Sequence, residues 1–176
     1  GSASCESFIS GQTACSSGSE SYLNCPSGRY GDNQGQSCST SCRICPAGQF
    51  SAARATSCSL CTAGKFLPDD AFTESKHDSS SDCFTCPLGF WASQAGSKKC
   101  IPCEPGKYMT TSATRQSESS CTVCPTGQYS SQLASPNCII CAAGRSNSLT
   151  NQKSVQSCEI CQAGFWSGTS AASCTA

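Results

Sequence analysis

One repeat constrains this chain more than any other feature. The step C-x-x-C recurs at Cys42/Cys45, Cys58/Cys61, Cys83/Cys86, Cys100/Cys103, Cys121/Cys124, Cys138/Cys141 and Cys158/Cys161. Each pair's second cysteine opens, or follows, the pattern C-x-x-G-x-aromatic: CPAGQF, CTAGKF, CPLGFW, CEPGKY, CPTGQY, CAAGRS and CQAGFW, with CPSGRY at Cys25 as an eighth copy. All eight copies keep the glycine, at Gly28, Gly48, Gly64, Gly89, Gly106, Gly127, Gly144 and Gly164. Proline after the cysteine and glycine two residues on are turn chemistry. The aromatic place holds Tyr30, Phe50, Phe66, Trp91, Tyr108, Tyr129 and Trp166, with Ser146 as the one departure. These aromatics are expected to form each module's small core, packed on a neighbouring disulfide.

The intervals carry a second period. From each C-x-x-G cysteine to the next pair, the intervening residues number 16, 12, 21, 13, 17, 13, 16 and 12. Long and short modules alternate, so the unit is a pair of modules of about 40 residues, the mark of a stacked array. We assign 1–24 to an N-terminal Cys-containing segment of unknown type, 25–82 to a first double repeat, 83–120 to a second, 121–157 to a third and 158–176 to a truncated fourth. The final SCTA stops one residue before the next cysteine is due. A segment of a longer array is therefore expected.

Composition agrees with a scaffold that lacks an ordinary core. Of 176 residues, 19 are cysteine, and the 37% hydrophobic fraction counts them. Too few Leu, Ile and Val remain to build a core of the usual kind, so covalent or metal staples must replace it. Eleven Lys+Arg balance eleven Asp+Glu. That balance argues against nucleic acid and against a polybasic membrane patch. No apolar run reaches the length of a membrane span. No window holds a 3.6-residue period with caps, so very little helix is expected. Segments such as QFSAA and KYMTT suit short strands. The fold class is a small, disulfide-rich, mostly β or irregular chain: an elongated rod of tandem short β-hairpin modules.

Two chemistries explain paired C-x-x-C steps. Four-Cys groups at Cys42/45/58/61, Cys83/86/100/103 and Cys121/124/138/141 match a zinc-ribbon pattern. Against zinc stand the cysteines outside such groups, the single histidine and spacers rich in Ser, Thr, Gly and Ala. Disulfides in an oxidising compartment are the preferred reading. An intracellular zinc-ribbon-like repeat is the alternative.

The run C-P-x-G-x-[FY]…C-x-x-C resembles the ephrin-receptor-like cysteine-rich repeat over residues 25 to 174. Tumour-necrosis-factor-receptor modules and ciliate surface immobilisation antigens are similar. The resemblance, to a repeat found in many surface proteins, implies short β-hairpins, one or two disulfides per unit and an elongated rod. Together with the recurring loop it implies a ladder: Cys25–Cys42, Cys45–Cys58, Cys61–Cys83, Cys86–Cys100, Cys103–Cys121, Cys124–Cys138, Cys141–Cys158 and Cys161–Cys174. Cys15–Cys38 is assigned as a further pair. Cys5 is left unpaired or linked to another chain.

No catalytic set stands out, and the chain reads as a non-enzyme. His77 is the lone histidine, in SKHDSS within the longest interval, and reads as an exposed, inert loop residue. The same interval gathers Asp69, Asp70, Glu74, Asp78 and Asp82. No cofactor is expected; calcium near Asp69, Asp70, Asp78 and Asp82 is the minor alternative to a solvated loop. The expected function is an extracellular structural or adhesive rod in a stalk, coat or filament, whose partners are other protein chains or its own copies. A receptor ectodomain for a protein ligand is the alternative.

Overall fold

The computed structural model describes residues 25–31, 42–69, 71–109 and 114–176, with the backbone of residues 6–7 and 13–14. It consists of small antiparallel hairpins, each of two two-residue strands. Strands β1 (Glu6–Ser7) and β2 (Thr13–Ala14) pair near the N terminus. Each later hairpin starts just after a C-x-x-G glycine and returns through the two residues inside the next C-x-x-C. These are β3 (Arg29–Tyr30) with β4 (Arg43–Ile44), and β5 (Gln49–Phe50) with β6 (Ser59–Leu60). Then come β7 (Lys65–Phe66) with β8 (Phe84–Thr85), and β9 (Phe90–Trp91) with β10 (Ile101–Pro102). Last are β11 (Lys107–Tyr108) with β12 (Thr122–Val123), β13 (Gln128–Tyr129) with β14 (Ile139–Ile140), and β15 (Arg145–Ser146) with β16 (Glu159–Ile160). Trp166 and Thr175 form a one-residue bridge in the corresponding place of the last module.

Two residues per strand cannot hold a hairpin in water. A disulfide closes each one: Cys25–Cys42, Cys45–Cys58, Cys61–Cys83, Cys86–Cys100, Cys103–Cys121, Cys124–Cys138, Cys141–Cys158 and Cys161–Cys174. Each joins a C-x-x-G cysteine to the first cysteine of the following pair. Their Cα atoms lie 5.6 to 5.8 Å apart, the ordinary span of such a bond. Loops this short are worth about 3 kcal/mol each in the chain-entropy model. Cys5 and the Cys15–Cys38 assignment lie outside the described residues. Among the described residues, helix is confined to single 3₁₀ turns in the longer intervals, at Glu74–Lys76, Ser80–Asp82, Glu118–Ser120 and Val155–Ser157.

The chain forms two compact units, Gly1–Thr85 with Ala95–Lys99, and Cys86–Gln94 with Cys100–Ala176. Cysteines dominate the buried set in both. Leu67 forms a buried cluster with Cys61 and Cys83 in the first unit, and Met109 does so with Cys103 and Cys121 in the second. Each cluster is one disulfide and one side chain, which is as much core as this composition supplies.

The aromatics fill that role less than expected. Phe50 and Trp91 do pack on the next module's disulfide cluster. Tyr30, Phe66, Tyr108 and Tyr129 are half-buried, and Trp166 is 64% exposed. The buried place is the next residue: Ser51, Leu67, Ala92, Met109, Ser130, Asn147 and Ser167 are all buried. Adjacent residues on an extended strand face opposite ways, so only one of the two turns inward. The inward one meets the following module's backbone, as Ser51 N–H does at His77 C=O.

Candidate functional site

The most elaborated feature of the molecule is the junction between successive modules. Gly127 shows how it is built. Pro125 to Gln128 form a turn closed by Gln128 N–H donating to Pro125 C=O at 3.2 Å. Gly127, third in the turn, has φ 73°. That is the left-handed value a type II turn demands at its third residue. Its C=O accepts from Cys141 N–H at 2.8 Å and so closes its own hairpin. Its N–H points outward, to the next module.

Three backbone hydrogen bonds then join the module 124–138 to the module 141–158. Gly127 N–H donates to Asn147 C=O at 2.7 Å, Ser130 N–H to Gln152 C=O at 2.9 Å, and Asn151 N–H to Cys124 C=O at 2.9 Å. The same three bonds link the modules opening at Cys25 and Cys45, at Cys103 and Cys124, and at Cys141 and Cys161. In the last of these the donors are Gly144, Asn147 and Ser170. The third donor always has positive φ: Arg54 at 66°, Ala134 at 57°, Asn151 at 59° and Ser170 at 59°. Gly96, at 78°, plays this part toward Cys61. Left-handed backbone turns that N–H back toward the preceding module.

Contacts reach one module further. A Cβ on Gly127 would overlap the carbonyl of Ser170, two modules on. Gly48 meets Gly96 in this way, Gly89 meets Ala134, and Gly106 meets Asn151. The motif's glycine thus serves a turn, a hydrogen bond and a close backbone approach together. Sequence reasoning found the turn. It missed the residue after the aromatic and the left-handed loop residues, because neither place keeps a constant residue type.

The long interval departs from this plan. His77 is not an exposed loop residue; it is fully buried. Its Nδ1 lies 2.8 Å from Gln49 C=O, and its own C=O accepts from Ser51 N–H at 2.8 Å. Ring and backbone together pin the insertion onto the module before it. Nε2 has no hydrogen-bond partner and stands 3.7 Å from Asp69 Oδ1. Asp82 and Ser79 cap a 3₁₀ turn, with Ser79 N–H donating to Asp82 at 2.9 Å. Asp69 accepts weakly from Phe72 N–H at 3.4 Å, Asp78 is half-buried, and Asp70 lies outside the described residues. Glu74 pairs with Arg29. Asp69, Glu74 and Asp82 are thus engaged in local capping and pairing. Among the described residues no three His, Cys, Asp or Glu side chains converge as metal ligands. The sixteen described cysteines are half-cystines, so none is a thiolate for the four-Cys zinc groups.

Side chains also mark an outer surface. The return strands expose Leu60 and Phe84 in the first unit, and Ile101, Val123, Ile139, Ile140 and Ile160 in the second. Phe84 keeps a tilted ring contact with Phe66, centroids 6.0 Å apart. Basic residues follow the glycine in alternate modules, at Arg29, Lys65, Lys107 and Arg145. Arg29 and Arg145 each donate to the carbonyl of the hairpin's far cysteine, Cys42 at 2.9 Å and Cys158 at 2.8 Å. Lys107 pairs with Glu118. That hydrogen bond, and then the opposite charge, lift the Lys107 ammonium above its ordinary range and hold the Glu118 carboxyl below its own.

No helix among the described residues is long and apolar enough to cross a membrane. Eight disulfides belong to an oxidising environment. No family model matches the chain, and no curated protein matches it.

Proposed function

We propose that this chain is a non-catalytic, extracellular structural or adhesive repeat protein, a component of a cell-surface stalk, coat or filament. The observation that carries this reading is the junction: each module is closed by a disulfide and joined to the next by up to three backbone hydrogen bonds. Such bonds do not depend on side-chain identity. An array held this way tolerates varied surface residues while keeping its spacing. Under load, a closed loop keeps the residues inside it from extending. Under proteolysis, few backbone segments open far enough to enter a protease cleft. The resemblance to ephrin-receptor-like repeats is in keeping with a cell-surface setting.

Exposed aliphatic residues on successive return strands favour a second reading, a receptor ectodomain that binds a protein ligand.

One experiment tests the structural reading. The full chain is secreted from an oxidising host, coupled to beads, and assayed for trypsin survival and for clustering of identically coated beads. A structural or adhesive protein keeps its disulfide-closed modules intact unless reduced, and its beads cluster with each other. Equal cleavage with and without reductant contradicts the structural reading. Survival without clustering, with saturable binding to cells instead, favours the receptor.

A further inference from the structure

The disulfides fall into two classes that alternate along the chain. In the short modules one end of each bond is half-buried: Cys58, Cys100 and Cys138 keep some exposed surface, while their partners Cys45, Cys86 and Cys124 are fully buried. In the module 161–174 both cysteines are half-buried. In the long modules both ends are buried, at Cys25–Cys42, Cys61–Cys83, Cys103–Cys121 and Cys141–Cys158. Interval length accounts for the difference. A 3₁₀ turn leads into Cys83, Cys121 and Cys158. Each of these cysteines donates its N–H back to that turn, to Ser80, Glu118 and Val155 C=O at 3.3, 2.9 and 3.0 Å. Among the described residues no such turn precedes Cys58, Cys100 or Cys138. The buried clusters of Leu67 and Met109 are also built on long-module bonds.

We propose that the short-module disulfides are exchange sites for small, solvent-borne thiols, and that the long-module bonds are a protected frame. Exchange needs a thiolate that reaches one sulfur of the bond, so access selects among bonds of the same chemistry. With the partner fully buried, each short-module bond is met only from the side of Cys58, Cys100 or Cys138. At Cys138 the attacking R–S⁻ forms a bond to Cys138 Sγ as the bond to Cys124 Sγ breaks. The electron pair leaves on Cys124 Sγ, which takes a proton from water. The products are the mixed disulfide R–S–S–Cys138 and a Cys124 thiol. A second R–S⁻ then attacks the R sulfur of that mixed disulfide, giving R–S–S–R and a Cys138 thiolate that is protonated in turn. The opening is a single half-buried cysteine, which fits a small thiol better than one carried on a folded protein. Reduction of this kind opens every second loop and leaves closed modules between the open ones. The inference goes beyond the structural role proposed above and stands on burial and interval length alone.

The test treats the full oxidised chain with dithiothreitol or with 2-mercaptoethanol and blocks released thiols with an alkylating label at timed intervals. Peptides are mapped after complete reduction and a second label. Dithiothreitol releases Cys45–Cys58, Cys86–Cys100 and Cys124–Cys138 at least about tenfold faster than Cys61–Cys83, Cys103–Cys121 and Cys141–Cys158. With 2-mercaptoethanol, peptides mapped before reduction carry the first mixed disulfides on Cys58, Cys100 and Cys138. In concentrated guanidinium chloride the two classes react alike, because the fold no longer covers either. Equal release in the folded chain, faster release of the long-module bonds, or first adducts on Cys45, Cys86 and Cys124 overturns the inference. So does a difference that persists in guanidinium chloride, which places its cause in local sequence. Release of the short-module bonds by a protein dithiol reductase, with neither class released by dithiothreitol, would assign them to a protein partner, and also overturns it.

Discussion

Gly127 lies with its α-carbon against the carbonyl of Ser170, across 43 residues and two disulfide-closed loops. Gly144 occupies the same place in its own turn, with φ 79°, and faces open space. The two positions separate two costs of adding a methyl group. Gly144→Ala meets backbone strain alone, about 1–2 kcal/mol at positive φ. Gly127→Ala meets that strain and must also displace the backbone at Ser170. Thermal unfolding of the two variants therefore differs, with Gly127→Ala the less stable by at least about 1 kcal/mol. Amide exchange at Asn151 and Ser170 quickens only in Gly127→Ala. Equal melting shifts would mean that the two-module contact carries no energy.

The left-handed loop residue offers the converse change. Ala134 has φ 57° and donates its N–H to Cys103 C=O, and Gly96 does the same work in another module. Ala134→Gly relieves strain of about 1–2 kcal/mol, partly offset by the freer unfolded chain. A net gain of about 0.5–1 kcal/mol in unfolding free energy is expected from denaturant titration.

Core substitutions distinguish the buried place from the aromatic place. Leu67, clustered with Cys61 and Cys83, is 1% exposed, and Leu67→Ala costs about 2–4 kcal/mol. Trp166→Ser costs under about 1 kcal/mol, because the ring is largely in solvent and Ser146 already fills that place in CAAGRS. The reverse order of stabilities would restore the aromatics as the modules' core.

His77→Ala removes a fully buried ring and its contact with Gln49 C=O. A cavity and a lost hydrogen bond together cost about 2–4 kcal/mol. The effect is local: amide exchange at Ser51, which donates to His77 C=O, rises by more than tenfold if the loop detaches, while exchange at Ser130 stays constant.

The Lys107–Glu118 pair gives a pH signature. Glu118's carboxyl is held low, so its contribution is present above the ordinary carboxylate range and fades as pH falls through the lowered value. Lys107's ammonium is held high, so its share is present below the ordinary lysine range and fades as pH rises through the raised value. The pair is exposed, so salt screens it. A Glu118 carboxyl titration by NMR should move upward, toward the ordinary glutamate value, in Lys107→Met and in high salt.

Much of the fold is legible in the cysteines. The recurring intervals of 12 to 21 residues and the glycine directly before each strand mark the hairpin modules, while the pairing of their cysteines followed from the resemblance together with the recurring loop, with zinc as the alternative. Junctions are less legible. Their bonds are backbone to backbone, and the residues that make them, Ser51, Leu67, Met109 and Asn147 among others, share a conformation and not a chemistry. His77 eluded the sequence for a related reason. Its neighbours Lys76 and Asp78 mark a solvated loop, and its burial comes from Gln49, 28 residues earlier. The aromatics misled because hydrophobicity alone does not say which of two adjacent strand residues faces inward.

The central claim is that the cysteines are oxidised in the pattern that closes each hairpin. Non-reducing peptide mapping, with intact mass and a zinc assay on the same sample, tests it most directly. The account predicts a mass at least about 16 Da below that of the reduced chain, two hydrogens for each of eight bonds, with Cys45 linked to Cys58, Cys124 to Cys138, and the rest in the same order. It also predicts no bound zinc. Free thiols at Cys42, Cys45, Cys58 and Cys61 with stoichiometric zinc would contradict the hairpins, the junctions and the proposed function together.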